Sequence, residues 1–366
     1  MASASSAFLL LSMVFTTVAV ASPAAAPAPA VKGEPVRLKV LSVYDRGVGT
    51  EAFRMLIPSD WRADGGIVWR HEFSNLATTA MRISSANGPE ALEMFPITPY
   101  VWTEGGIPFF PVGSNYLGNI VLPVVGDPTS YVRQVVLPQL RKQVSARIAD
   151  RQLLPEVAQA VAAGVQEQGV YKTVRAERIR LEYQEGGRWI QEDLYCVLVY
   201  AQTPMLPGTT FWGPDRLFSF KAEKEKLDGL NGLFQTMASS VKPNPIWFSK
   251  YLQVVSMWQQ GQMQAIRSAG ELSRYIARTN DEISAMQRQA FERRQAANDR
   301  VNRNFSEYIR GVETYQNPVE GRPVELPSGY REAWVSGQGE YILSNDPNFN
   351  PNVGSTQTWQ QMKRER

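Results

Sequence analysis

Residues 179–200 read IRLEYQEGGRWIQEDLYCVLVY, and this stretch decides the fold. Ile179, Leu181 and Tyr183 alternate with Arg180 and Glu182, the period of two that gives a strand one buried face. Gly186-Gly187 then turns the chain. Residues 194–200 are apolar throughout, which fits a strand in the middle of a sheet covered on both faces. Cys196 lies inside that run and reads as a core residue.

Downstream, Leu227, Leu230, Phe234, Met237 and Val241 recur at spacings of three and four, so a helix with one apolar side is expected to cover the sheet. Lys242-Pro243-Asn244-Pro245 stops it. Upstream, VRLKVLSVY (36–44) alternates as a half-buried strand, and AFRMLIPSDW (52–61) is a strand ended by Pro58. Asn87-Gly88 separates two alternating segments as a hairpin. Asp127-Pro128 pairs an N-cap with proline at the first helical position, opening a helix that Pro138 must end or kink. A second helix follows Pro155.

Between Pro245 and Pro318 there is no proline and little glycine, which predicts a long helix or helical pair over 247–311. A heptad runs through Ala269, Ile276, Ile283, Ala290 and Ala297. Its companion positions pass from Leu272 and Met286 to Arg293 and Arg300, so the choice lies between self-association through 247–311 and a solvated spacer. From Val312 the chain is punctuated by Pro and Gly and reads as a small strand-and-turn module.

The expected architecture is therefore α+β: an antiparallel sheet covered by helices, then a long helical segment and a small C-terminal β module. The divisions are an export signal over 1–21, an Ala/Pro linker over 22–34, an α+β domain over 35–246, a helical segment over 247–311 and the module over 312–366. The apolar stretch 7–21 ends in Ala19-Val20-Ala21, a small-residue cleavage pattern, though no Lys or Arg precedes it. The reading is export to the periplasm or beyond, with an uncleaved inner-membrane anchor as the alternative.

The Phe53-x-x-x-Ile57-Pro58-x-x-Trp61 pattern, with strand clusters each followed by helices, resembles the PsbP/Mog1-like group over residues 36–248. That resemblance implies a central antiparallel sheet between helices and a binding or assembly role rather than catalysis. The tail, from Leu326-Pro327-Ser328-Gly329-Tyr330 to Trp359, is similar to the ends of uncharacterised bacterial exported proteins.

The chemistry of common enzymes is sparse. A single histidine, His71, has no nucleophile motif beside it, and no phosphate-cradling or dinucleotide loop occurs. One Cys excludes an intramolecular disulfide, and one His with one Cys makes neither a zinc site nor a readily assembled nucleophilic pair. Asp346, Asn348, Asn350 and Asn352 alternate like calcium-loop ligands, but Pro351 and Gln357 stand where glycine and an acid are needed. A formal charge of +3 gives no argument for nucleic acid.

No cofactor or metal is expected. The leading expectation is a non-catalytic binding or scaffold protein of the cell envelope, contacting an envelope protein or a polysaccharide. Its candidate surface is Tyr100, Trp102, Phe109, Phe110 and Tyr116 in an irregular stretch over 97–119, with Tyr330, Trp334 and Trp359 in the tail. The alternatives are a polysaccharide-binding protein using Trp102, Trp334 or Trp359, and an exported hydrolase acting on wall polymers with Asp60, Glu104 and Asp127 beside that stretch.

Overall fold

A computed structural model describes residues 35–164, 169–261, 288, 291–292, 295–296 and 312–365. The stretch that opens the sequence reading forms a hairpin of two strands, Tyr171–Glu185 and Arg188–Gln202, in continuous register from Tyr171 opposite Gln202 to Glu185 opposite Arg188. Gly186 (φ +57°) and Gly187 (φ +78°) make the whole turn. Their twist matches that of the flanking strands, which is why two glycines suffice. Leu194, Cys196, Leu198 and Tyr200 enter one core and Tyr195, Val197 and Val199 another, so the unbroken apolar run is a strand covered twice.

A third long strand, Thr209–Glu223, runs antiparallel beside Arg188–Gln202. It contains Gly213-Pro214-Asp215, residues that ordinarily end a strand. A bulge absorbs them: Val197 faces Arg216, Leu198 faces Pro214, and Asp215 is left out of the ladder. The complete sheet has ten strands. Its main path is Arg62–Trp69, Ala77–Ser84, Ala91–Met94, Thr209–Glu223, Arg188–Gln202, Tyr171–Glu185 and Arg147–Leu153, with Tyr100–Thr103, Asn119–Val121 and Asn115–Tyr116 attached beside Thr209–Glu223.

A second sheet orders Lys242–Pro243, Thr50–Pro58, Val36–Asp45, Tyr341–Ser344, Glu332–Ser336 and Trp359–Gln361. The first described strand thus pairs with one of the last, Val36 opposite Leu343 and Leu38 opposite Tyr341. A third sheet, ordered Arg322–Pro327, Val312–Asn317 and Lys363–Arg364, closes over this end around Leu38, Leu56, Tyr315 and Leu326.

These sheets correct the expected α+β architecture. The protein is mostly β, with 46% of the described residues in strands against 20% in helices, so short helices patch two curled sheets instead of forming a layer. Two features conceal the strands. Thr209–Glu223 carries turn residues inside it, and Arg147–Leu153 is an edge strand bearing Arg147, Asp150 and Arg151, charges suited to an unpaired edge. The residues from 247 also depart from expectation. Helix Pro245–Gln259 stops at Gln260 and Gly261, where φ is +71°, and no described helix is long enough for a coiled coil. The heptad through Ala269 and Ala297 falls outside the described residues, apart from helical positions at Arg288, Phe291, Glu292, Gln295 and Ala296. The expected signal and linker, 1–34, also lie outside them.

The helices that do form follow their sequence logic. Asp127 accepts hydrogen bonds from the backbone N–H and hydroxyl of Ser130, both at 2.8 Å, and so caps the helix that starts at Pro128. Pro138 does not end this helix, because the preceding turn, Val132–Val136, widens to a π-helical turn. Phe234, Met237, Trp247 and Tyr251 from helices Asn231–Ser239 and Pro245–Gln259 pack with Phe53, Ile57, Phe218 and Phe220. Trp61 meets Phe234 edge-on at 6.0 Å. The Phe53-to-Trp61 pattern is therefore a core-packing device.

Candidate functional site

Register lines up Tyr171, Gln202, Thr210 and Trp102 as one row across four neighbouring strands. Beyond this row the chain leaves the sheet in two excursions, residues 104–118 and 203–208. Their bases are tied together. The Thr103 and Thr209 hydroxyls are 3.0 Å apart, and the Glu104 N–H donates to the Gly208 carbonyl at 3.0 Å. The larger excursion is also braced from within. Gly118 N–H donates to Asn115 Oδ1 at 2.8 Å, and the Ser74 hydroxyl donates to Asn119 Oδ1 at 3.0 Å. Gly118 (φ +81°) is obligatory, since a Cβ there would lie 2.5 Å from the Ser74 nitrogen.

No residue of 105–118 or 203–208 carries a charge. Phe109 is 99% exposed, and Phe110, Val112, Leu117, Met205 and Leu206 in the same two excursions are also exposed. Tyr171, on the same end of the sheet, is 73% exposed. Phe109 and Leu117 hold φ +66° and +50°, a left-handed conformation that costs a side-chain-bearing residue about 1–2 kcal/mol. Strain that presents large apolar side chains to water does nothing for the protein's own packing, and such clusters mark contact sites.

The eight candidate aromatic residues divide. Phe109 stands at the tip, and Phe110 packs edge-on against Tyr116 at 4.9 Å. Trp102 is half-buried in the row beneath them. Tyr100 belongs to the core instead, stacked on Trp212 at 4.7 Å with its hydroxyl 3.3 Å from that of Tyr131. Tyr330, Trp334 and Trp359 lie on the carboxy-terminal strands and turns. Tyr330 is half-buried, Trp334 donates to Glu332 at 3.3 Å, and Trp359 is buried with its backbone bonded to Asn352. The sequence reading missed Met205, Leu206, Val112, Leu117 and Tyr171. The only signal for 203–208 was a run of Thr, Pro, Met, Leu, Pro and Gly without charge.

The candidate reactive groups are engaged elsewhere. Asp127 is the N-cap already described; burial works against its charge, but the two Ser130 donors hold the carboxyl below its ordinary range. Asp60 and Glu104 are exposed, on a turn between strands and at the edge of the tip. Cys196 faces the core behind helix Pro128–Tyr131, and burial raises its thiol well above the usual range. His71 stacks on Trp69, which packs against the opposite core, and burial lowers its imidazole. The pair therefore lies on opposite faces of the sheet. Among the described residues no three His, Cys, Asp or Glu side chains gather as metal ligands. Asp346 and Asn350 instead accept from the backbone N–H groups of Asn348 and Asn352, as Asx turns.

The other end of the same long strands is of opposite character. Lys221 pairs with Glu185 at 2.7 Å, Arg147 with Glu182 at 2.7 Å and Lys224 with Glu182 at 3.4 Å. Behind them Arg141 grips fully buried Glu192 through Nε at 3.0 Å and through Nη2, and reaches Glu93 at 2.8 Å. Tyr183 donates to Glu192 at 2.8 Å. Burial pushes the Glu192 carboxyl up, but the Arg141 guanidinium outweighs it and holds the group below its ordinary range. Arg178 and Arg180 clasp Asp193 in the same manner.

Fold and site together describe a β-rich protein with a preformed apolar tip, charged only at Glu104 on its edge, at one end of its main sheet. Comparison with known proteins finds no matching family model and no matching curated protein.

Proposed function

We propose that this is a non-catalytic binding protein of the cell envelope that engages a protein partner through the tip formed by residues 104–118 and 203–208. The observation that carries the reading is Phe109: fully exposed, backbone-strained, and in an excursion that exposes further apolar side chains and has no charged residue after Glu104. A braced, convex apolar tip fits an apolar pocket on a partner and lowers the ordering cost of association.

A photo-crosslinking amino acid placed at Phe109, in the full chain expressed with its own first 34 residues, tests this in envelope extract. The expected result is one protein adduct that disappears when Met205→Glu is added and does not form from the same crosslinker at Trp189, an exposed site at the charged end. Crosslinks to lipid or glycan, or equal labelling from both positions, would overturn the reading.

A further inference from the structure

A cavity of about 310 Å³ lies between the second and third sheets, remote from the apolar tip. One wall is a patch of the six-stranded sheet. Val40 stands opposite Leu56 and Lys242 opposite Arg54, with Arg54 and Leu56 two residues apart on the same face. The facing wall comes from the hairpin Val312–Asn317 and Arg322–Pro327, where Thr314 stands opposite Glu325; Glu320 sits in the connecting turn. Cations therefore lie on one wall, carboxylates on the other, and apolar surface from Val40, Leu56 and Val324 between them. The volume falls at the small end of the roughly 300–1,000 Å³ range of ligand pockets.

Two like charges directly opposite on neighbouring strands, as Lys242 and Arg54 are, destabilise a sheet. Among the described residues each has one ion-pair partner. Arg54 is 3.2 Å from Glu51 on its own strand, and Lys242 reaches across the cavity to Glu320 at 2.6 Å. The crossing pair is about half exposed on both sides, so solvent screens it and breaking it costs little. Charge balance then selects the ligand. An anion entering between Lys242 and Glu320 would strand the carboxylate, and a cation would strand the lysine. A molecule carrying both charges re-pairs both.

We propose that this cavity binds a small zwitterion with an apolar body, of the amino-acid or dipeptide class, its carboxylate on Lys242 and Arg54 and its ammonium on Glu320. The proposal is independent of the role given to the tip.

Titration calorimetry on the full-length protein with leucine, leucyl-leucine, N-acetyl-leucyl-leucine and leucyl-leucine amide tests it. One of the two zwitterions should bind and its singly charged analogues should bind at least about tenfold more weakly; which zwitterion binds better separates a free amino acid from a peptide. Lys242→Met and Glu320→Gln should each weaken binding by a similar factor, and Lys242→Glu combined with Glu320→Lys should restore part of it. Val40→Trp, at a partly exposed position, should block the cavity while leaving every charge in place. Circular dichroism and thermal melting of each variant separate lost binding from lost folding. No heat with either zwitterion at millimolar concentration, equal binding of the capped forms, or indifference to Lys242→Met and Val40→Trp in folded protein would each overturn the proposal.

Discussion

The two ends of the three long strands share a backbone and differ in almost everything else. At the Gly186-Gly187 end, chains of ion pairs link neighbouring strands, and even exposed Trp189 lies beneath the Lys224 ammonium, 5.7 Å from its ring. At the Met205 end the two adjoining excursions carry no charge beyond Glu104 at their base, and Phe109 is 99% exposed. A sheet end needs only solvated turns. The charged end meets that need with side chains that also lock the strands together, whereas the apolar end keeps surface that the protein's own stability does not use. The contrast separates residues that hold the fold from residues available for contact.

The largest effect expected from breaking the contrast lies behind the charged end. Arg141→Ala leaves Glu192 buried without its counter-ion and should cost about 3–5 kcal/mol, read from urea unfolding; a loss below ~1 kcal/mol would mean the network is dispensable. Acid should find the same group. Because the folded carboxyl of Glu192 lies below its unfolded value, its contribution is complete above the unfolded pKa of about 4.3 and is lost as pH falls through the folded value. Unfolding midpoints taken between neutral and acidic pH should fall less steeply in Glu192→Gln than in the parent. An equal slope would place the acid sensitivity in other carboxylates.

At the apolar end the sign reverses. Phe109→Gly relieves a left-handed φ and removes no buried contact, so the protein should gain up to about 1 kcal/mol while a tip-dependent partner is lost. A destabilised variant that retains its partner would erase the distinction between the ends. The smallest effect is expected at the solvent-exposed margin of the charged end, where Arg147→Ala, with its side chain 73% exposed, should change stability by less than about 1 kcal/mol.

The sequence disclosed individual elements better than their assembly. The central hairpin was legible because alternation, a glycine pair and an unbroken apolar run agree on one structure, and the Asp127 cap because its chemistry is local. Thr209–Glu223 was hidden because a long-range bulge overrides the local meaning of Gly-Pro-Asp. Half of the tip could be read as an aromatic, proline-rich stretch. The other half could not, since Met205 and Leu206 acquire significance only from the pairing of Thr209 with Thr103. Tyr100 shows the opposite failure, where residue type suggested a surface and sheet position made it core.

The pairing of Val36–Asp45 with Tyr341–Ser344 has a kinetic consequence. The edge of the first strand stays open until the far end of the chain arrives, and contacts so distant in sequence pay loop-closure entropy before they return any stability. Folding should therefore be late and slow relative to synthesis. Removing the last strands would leave that edge exposed and seeking another copy of itself.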